Sequence, residues 1–582
     1  MKKPFSIFAI LCLVLGVGLS SCDLSKIKED TSHLNILLIL TDDQGWGDLS
    51  FHGNELIETP HIDNLAAQSL DFDRFYVSPV CAPTRASLLT GRYHLATGTT
   101  WVTHRMEVMR EDELTIAELL KPYGYVSGLF GKWHQGKQYP HDPIGQGFDE
   151  FFGFTEGHIN NYFNTKVVNN FEEVQTSGYL ADVLTDKTLD FISKQDQFFA
   201  LLSFNTPHSP FQVPDHYFEK YKAKGLNDKD ACVYGMVENI DDNVGRLMEY
   251  LEQSGKIDNT IVIFMTDNGP NGIRYNGGMK GKKADLDEGG VRVPFFMKIP
   301  KYDPQLVKPW AAHIDILPTL ADFLNISVPE NLEIHGKSLK PLIDGNYDWE
   351  DRYFFTHHVN FKFDTIPGAV RDQGYLLTMK NRQKELFNLI EDPSQKHNIL
   401  ENELTRAAEM EGQYLSWLKT MTERGIEPHL IQVGHQAVPI VELPAPDGKR
   451  VGSVAFQGEM GWANDWFVGF QSQEDYVQWD LEVVEDMTYE VFLQMSNDSP
   501  FTLLLTLNNE LLKIPFDQTN IATLVPNQDR VPRGEVEEYI WPELPLGKIK
   551  FEKGELNLKL GIAEKVDNSP SIKGLIFKKV SL

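Results

Sequence analysis

Four short apolar runs, each ending in a cluster of polar residues, limit most sharply what this chain can fold into. Asn35 to Leu40, Tyr125 to Phe130, Phe198 to Phe204 and Ile261 to Thr266 are rich in Ile, Leu, Val and Phe and are bounded by turn residues. Runs this short with no polar face read as strands buried on both sides, and their alternation with helical patterns implies parallel βαβ units. Between them, Met236, Ile240, Val244, Leu247 and Leu251 fall three and four residues apart and stop before Gly255. That spacing predicts an amphipathic helix with a glycine C′ residue. A second helix is expected from Ile314 to Leu324. Residues 34–345 are therefore expected to form an α/β domain, a mostly parallel sheet flanked by helices.

Downstream the texture changes twice. Residues 346–435 read as a small α+β subdomain, with strands at Arg352 to Thr356 and Tyr375 to Met379 and a polar helix from Glu403 to Thr422. Residues 436–450 carry Pro439, Pro444 and Pro446 without periodicity and read as a linker. From 451 to 582, segments such as Tyr476 to Val483 and Leu556 to Leu560 alternate apolar with polar residues, which predicts an appended β-sandwich. Trp462, Trp466, Tyr476 and Trp479 would give it a sugar-stacking surface if exposed, so a carbohydrate-binding role is one reading and core packing the other.

At 582 residues the chain exceeds one core, and 41% hydrophobic residues exclude disorder. The 83 acidic against 54 basic residues give a net charge of −29, which argues against nucleic acid as a partner and requires that an anionic substrate be met by a local cationic pocket. Lys2 and Lys3 precede an apolar stretch from Phe5 to Leu19, too short to span a bilayer but suited to a signal peptide over residues 1–21. Leu19-Ser20-Ser21-Cys22 resembles a bacterial lipobox. Cys22 would then be lipidated, with 22–33 as a tether to a bacterial membrane, periplasmic or at the cell surface. Only Cys81 and Cys232 remain beyond this segment. An exported chain without a disulfide framework must rely on its cores, and Cys232 reads as a small buried hydrophobe.

In an open parallel sheet, ligands bind beyond the carboxyl ends of the strands. There the first run delivers Thr41, Asp42 and Asp43, and the fourth delivers Thr266, Asp267, Asn268 and Gly269. Three carboxylates and an amide oxygen at one edge would repel one another without a hard cation, and oxygen ligands favour Ca²⁺ or Mg²⁺. The second run leads to Lys132, Trp133 and His134, the third to Asn205, Thr206, Pro207 and His208. Cys81-Ala82-Pro83-Thr84-Arg85 opens a short helix, with Pro83 suited to its N1 position and Gly91 to its end. Cys81 thus sits at a helix N-terminus that favours an anion, beside a guanidinium matched to oxyanions.

These residues resemble the type I sulfatases, formylglycine-dependent members of the alkaline phosphatase superfamily. Asp42-Asp43-Gln44-Gly45, Cys81-Ala82-Pro83-Thr84-Arg85, Gly131-Lys132-Trp133-His134, Pro207-His208, Thr266-Asp267-Asn268-Gly269 and Glu288-Gly289-Gly290 occur in the family's order, and the resemblance covers roughly residues 34 to 410. It implies an alkaline-phosphatase-like fold and a sulfate monoester hydrolase. Cys81 would be oxidised by a formylglycine-generating enzyme, with Thr84 in place of the commoner serine. The resemblance assigns Asp42, Asp43, Asp267, Asn268 and the modified residue 81 to a divalent cation, usually Ca²⁺ and less readily Mg²⁺. A hydroxyl of hydrated formylglycine 81 would attack sulfur, His208 would protonate the leaving oxygen, and His134 would take the proton that releases sulfate. Arg85 and Lys132 would hold the diol and the sulfate oxygens. Of Lys280, Lys282 and Lys283, the last has the family's spacing from Glu288 and would bind sulfate. A sulfated glycan is the expected substrate. A phosphoester hydrolase of the same superfamily, or a silent glycan-binding surface protein, are the rival readings. His104, Arg105, His357 and His358 are further candidates for touching a sugar.

Overall fold

The computed structural model of the chain describes residues 34–345, 349, 351–381, 383–508, 510–566 and 568–580. The expected signal segment, Cys22 and the tether to residue 33 lie outside the described residues.

The N-terminal domain is built on a ten-stranded sheet. Its strands are β1 (Asn35–Thr41), β2 (Leu70–Phe72), β3 (Val126–Lys132), β4 (Glu150–Phe154), β5 (Lys166–Asn169), β6 (Glu172–Gln175), β7 (Phe198–Ser203), β8 (Thr260–Thr266), β9 (Phe295–Lys298) and β10 (Gln305–Val307). They run in the order β10-β2-β9-β8-β1-β7-β3-β4-β5-β6. The five central strands, β8 to β4, are parallel, and antiparallel strands adjoin them on both sides. All seven residues of β1 and of β8 are buried, because helices cover both faces of the sheet. Ile36, Leu38 and Leu40 enter one core with α2 (Cys81–Thr90) and α5 (Ile316–Phe323), whereas Leu37 and Ile39 enter a second with α1 (Pro60–Ala67), α3 (Leu180–Lys194) and α4 (Asp228–Gln253). The expected amphipathic stripe of α4 is buried from Met236 to Leu251, and Gly255 follows it with φ 72°. Cys232 on that helix is fully buried.

The subdomain that follows is a four-stranded antiparallel sheet, β11 (Phe354–His357), β12 (Gly368–Arg371), β13 (Tyr375–Lys380) and β14 (Gln383–Asn388), against which α6 (Leu404–Met421) packs Met410, Tyr414 and Trp417.

A sandwich of two sheets completes the chain. In Tyr476–Val483 and Met487–Ser496 every second residue is buried, and Trp479, Leu481, Tyr489 and Val491 share one core between the sheets. One expectation needs correction. The sandwich begins before 451: Ile431–Val433 pairs in parallel with Tyr476–Val483, and within the supposed linker Ile440–Pro444 pairs with Ser571–Lys579. Prolines erased the periodicity there without preventing pairing, since Pro444 ends the strand and Pro439 precedes it. Of the two readings of the aromatics, core packing holds for Trp479 and Trp466. Trp479 is 0% exposed and Trp466 8%, so both are packing residues, while Trp462 lies 6.3 Å from Phe361 of the subdomain.

Candidate active site

The register of the two central strands assembles the acidic cluster. Thr41 of β1 lies opposite Thr266 of β8, so the chain leaves both strands side by side and places Asp42 and Asp43 against Asp267 and Asn268. The Asp43 amide donates to Asp267 Oδ1 at 3.2 Å, and Asn268 Nδ2 donates to Asp43 Oδ1 at 2.8 Å. From the other side of β1, the Asp42 amide donates to Thr206 O at 3.1 Å and ties in the loop after β7 that carries His208. The next strand, β3, ends in Lys132 and leads to His134. Gly269 must lack a side chain, because a Cβ would come within 2.1 Å of Gly289 O. That close approach seats Glu288-Gly289-Gly290 on the Asp267-Asn268-Gly269 turn, and the loop before it brings in Lys283.

Each buried carboxylate has its own cation. Lys132 Nζ lies 2.7 Å from Asp42 Oδ2, Lys283 Nζ 2.7 Å from Asp43 Oδ1, and Arg85 Nη2 2.8 Å from Asp267 Oδ2. All three acids are at most 1% exposed. Burial, with Asp43 and Cys81 beside it and against the pull of Lys132, raises Asp42, and burial together with Asp42 raises Asp267 to about 6. Burial acts the same way on Asp43, but Lys283 and His208 outweigh it and hold that carboxyl below the usual range. Even so, Asp42 Oδ1 and Asn268 Oδ1 are buried without a hydrogen-bond partner. Ligand atoms of Asp42, Cys81 and Asp267 all lie within 4.8 Å of one another, as do those of Asp42, Asp43 and His208. Orphaned oxygens in a dense set of hard donors fit a divalent cation.

Cys81 is the first residue of α2, after Val80 in extended conformation, so the helix starts two residues earlier than Pro83 at N1 would require. Pro83 still falls in the first turn, where no amide hydrogen is needed. Cys81 is 3% exposed, and its Sγ lies 3.3 Å from His134 Nδ1. His134 Nε2 is 2.9 Å from Val102 O, which assigns the ring proton to Nε2 and leaves Nδ1 as the acceptor facing residue 81. Burial and Lys132 push this imidazole well below its ordinary value, so it is a neutral base. His208 Nδ1 faces Ser209 O at 2.5 Å, turning Nε2 toward Asp43 Oδ2 at 3.7 Å. Asp43 (φ 66°) and His134 (φ 65°) both occupy the left-handed region that non-glycine residues avoid, and both point functional atoms into this site.

Every residue expected at the site is brought to it, with one difference in contacts. The Arg85 guanidinium is already occupied: Nε and Nη2 donate to Asp267 Oδ2, and Nη1 to Ser203 Oγ and Lys132 O. A carboxylate buried this deeply takes the fork that the sequence had offered to an oxyanion. Sequence reasoning gave no role to Ser203, or to Gln44 and Asn205, which it met in the strand-end motifs; the amide atoms of the last two are buried without partners. They sit in the same strand-end segments and were findable there. It also missed His158 and Glu535, the latter 245 residues beyond Gly290. Of the sugar candidates, Arg105 is held by His429 O and Gln138 Oε1, and His357 by Asp364 O, so neither is free to reach out.

The comparisons agree with this geometry. A family model described as Sulfatase matches residues 34–326, and one described as N-sulphoglucosamine sulphohydrolase, C-terminal, matches 281–420. Human N-acetylgalactosamine-6-sulfatase is 31% identical over 380 residues, covering 58% of this chain and 70% of that protein. An ulvan-active sulfatase of Formosa agariphila is 29% identical over 431 residues, 67% of this chain and 82% of that one. A crystal structure of Ps i-CgsB with k-i-k-neocarrahexaose superposes with TM-score 0.62 at 29% identity, covering 66% of this chain and 92% of its own. The matched region contains each strand end that builds the acidic cluster, and the chain belongs to the sulfatase family of sulfuric ester hydrolases.

Proposed function

We propose that this sulfatase acts on sulfate esters of a glycan, with Cys81 matured to formylglycine and Ca²⁺ held by Asp42, Asp43, Asp267, Asn268 and residue 81. The observation that carries the reading is the convergence of orphaned acidic and amide oxygens on Cys81 at a helix N-terminus, with a neutral histidine acceptor 3.3 Å from its sulfur. A relative named as an ulvan-active sulfatase and another solved in complex with k-i-k-neocarrahexaose support the glycan. The cation, when bound, supplies Lewis-acid polarisation at residue 81 and neutralises sulfate charge. The rest belongs to the side chains. Lys283 and Lys132, beside the carboxylates that would hold the cation, offer ammonium groups to the sulfate oxygens. Arg85 holds Asp267 in place. His208 presents Nε2 to the leaving oxygen; burial and Lys283 lower its affinity for a proton, and an arriving sulfate anion beside it opposes both. His134 Nδ1 takes a proton from residue 81.

Turnover of matched aryl sulfate and aryl phosphate by protein matured in vivo tests the reaction, and a phosphate preference would overturn it. Mass spectrometry of residue 81 tests the maturation, and a panel of defined sulfated oligosaccharides the substrate. We further propose that the protein is exported and anchored through lipidated Cys22, a reading supported by the basic and apolar N-terminus. Cys22→Ala should then release it from membranes.

A further inference from the structure

We propose that Glu535, delivered by the β-sandwich, is a specificity-determining residue of the sulfatase site: it recognises a neutral hydroxyl on the sugar that carries the scissile sulfate and rejects a second anion there. The inference rests on the glycan reading above.

Between Glu510–Phe516 and Glu543–Phe551 the chain leaves the sandwich and lies along the catalytic domain. The Arg530 amide donates to Phe211 O at 2.9 Å, Gln212 Nε2 to Asp529 Oδ1 at 2.7 Å, and Arg530 Nη2 to Val213 O at 3.0 Å. Arg533 clamps Asp529 through Nε and Nη2, both at 2.7 Å, and Val531 packs on the core beside α4. So braced, the segment reaches the leaving-group side of the site. One Glu535 oxygen accepts from Ser209 Oγ, next to His208 in sequence. The other, Oε2, is buried with no partner.

His158 faces the same place. It is 6% exposed, its ring lies 6.1 Å from that of His208 and within 9° of parallel, and its Nε2 is also buried without a partner. The charges of Glu535, His158 and His208 act on one another. Glu535 Oε2 and His158 Nε2, on groups whose charges act on each other, are both unsatisfied, and each calls for a hydrogen-bond partner. A sugar hydroxyl serves both, donating to Glu535 Oε2 and accepting from His158 Nε2 in the neutral ring's Nε2–H tautomer. A sulfate or uronate can only accept, and it would meet a carboxylate in a water-poor site. There is room for the rest of the saccharide: a cavity of ≈ 490 Å³ between the catalytic domain and the sandwich starts at His134 and His158 and continues past Asn160, Asn464 and Lys573. The sandwich is thereby a wall of the active site rather than a separate lectin.

The test compares the full-length matured protein with Glu535→Gln and Glu535→Ala on three substrates. These are an aryl sulfate, methyl glycoside monosulfates with a free hydroxyl next to the ester, and their counterparts with a second sulfate there. Wild type should favour the free-hydroxyl member, and Glu535→Gln should reduce that preference by about 10-fold or more, chiefly through KM. A preference unmoved in both variants refutes the inference while leaving the glycan reading intact. Equal losses on all three substrates refute it too, since they mark a purely structural role. Wild type that cleaves the aryl ester but no saccharide sulfate overturns the glycan reading, and the inference falls with it.

Discussion

Replacing Arg85 by methionine isolates the ion pair that braces the acidic cluster. Arg85 is 2% exposed and Asp267 0%, so the pair is buried and removal of one partner strands a charge. The damage is confined to Asp267: Ser203 Oγ still donates to Lys132 O at 2.7 Å, so hydroxyl and carbonyl keep each other as partners. Asp267 Oδ1 keeps the Asp43 amide, but Oδ2 has only Arg85. Leaving a buried charge uncompensated costs about 3–5 kcal/mol. Burial and Asp42 already hold the Asp267 carboxyl at about 6 against an unfolded 3.8, and loss of Arg85 raises it further. An acid whose folded pKa exceeds its unfolded one destabilises the fold increasingly as pH rises from the lower value to the higher. Relative to wild type, the penalty should therefore be largest at alkaline pH and be lost as pH falls to about 6, below which Asp267 is protonated in both proteins. Urea unfolding of chelator-stripped protein, at about pH 8 and about pH 5, measures this. Adding Asp267→Asn removes the stranded charge and should recover most of the loss, giving a coupling of at least about 2 kcal/mol. A single-variant cost under about 1 kcal/mol, an additive cycle, or a penalty that grows toward acid pH would each refute the reasoning.

Lys283→Ala should lower kcat/KM for an aryl sulfate by about a hundred- to a thousand-fold, the usual loss for one donor to a developing negative charge; a change under about ten-fold would remove Lys283 from sulfate binding. Under the proposed calcium site, returning Ca²⁺ to chelator-stripped protein should raise its melting temperature, because a ligand of the folded carboxylate cluster stabilises the folded state, and Asp42→Asn should blunt that rise. Cys232, fully buried with its thiol pushed up by desolvation, should resist iodoacetamide until the protein unfolds, as peptide mapping would show. Trp479→Ala should destabilise the sandwich by about 3–5 kcal/mol, read as earlier proteolysis of that region, since the indole is fully buried and its Nε1 bonds Pro444 O at 3.1 Å.

The sequence by itself determined the parallel core and the chemistry at its edge. Strands buried on both faces must be apolar throughout, and that composition survives in one dimension as Asn35–Thr41 and Thr260–Thr266. Because ligands gather where such strands end, Asp42, Asp43, Asp267, Asn268, Lys132, His134 and His208 were legible from local order alone. Arg85 was legible as a residue but not in its contacts, because its partner Asp267 lies 182 positions away. The strand Ile440–Pro444 was hidden for a related reason: it is held by hydrogen bonds to Ser571–Lys579, and its prolines mask the alternation that marks a strand. Only the tertiary structure could decide what the sandwich does. Trp479 in a core and Trp462 beside the subdomain have the same residue type and opposite surroundings. Glu535 carries no local pattern at all. A carboxylate's role depends on which unsatisfied groups the folded chain sets against it, and that is a property of distances in space, which spacing along a chain does not encode.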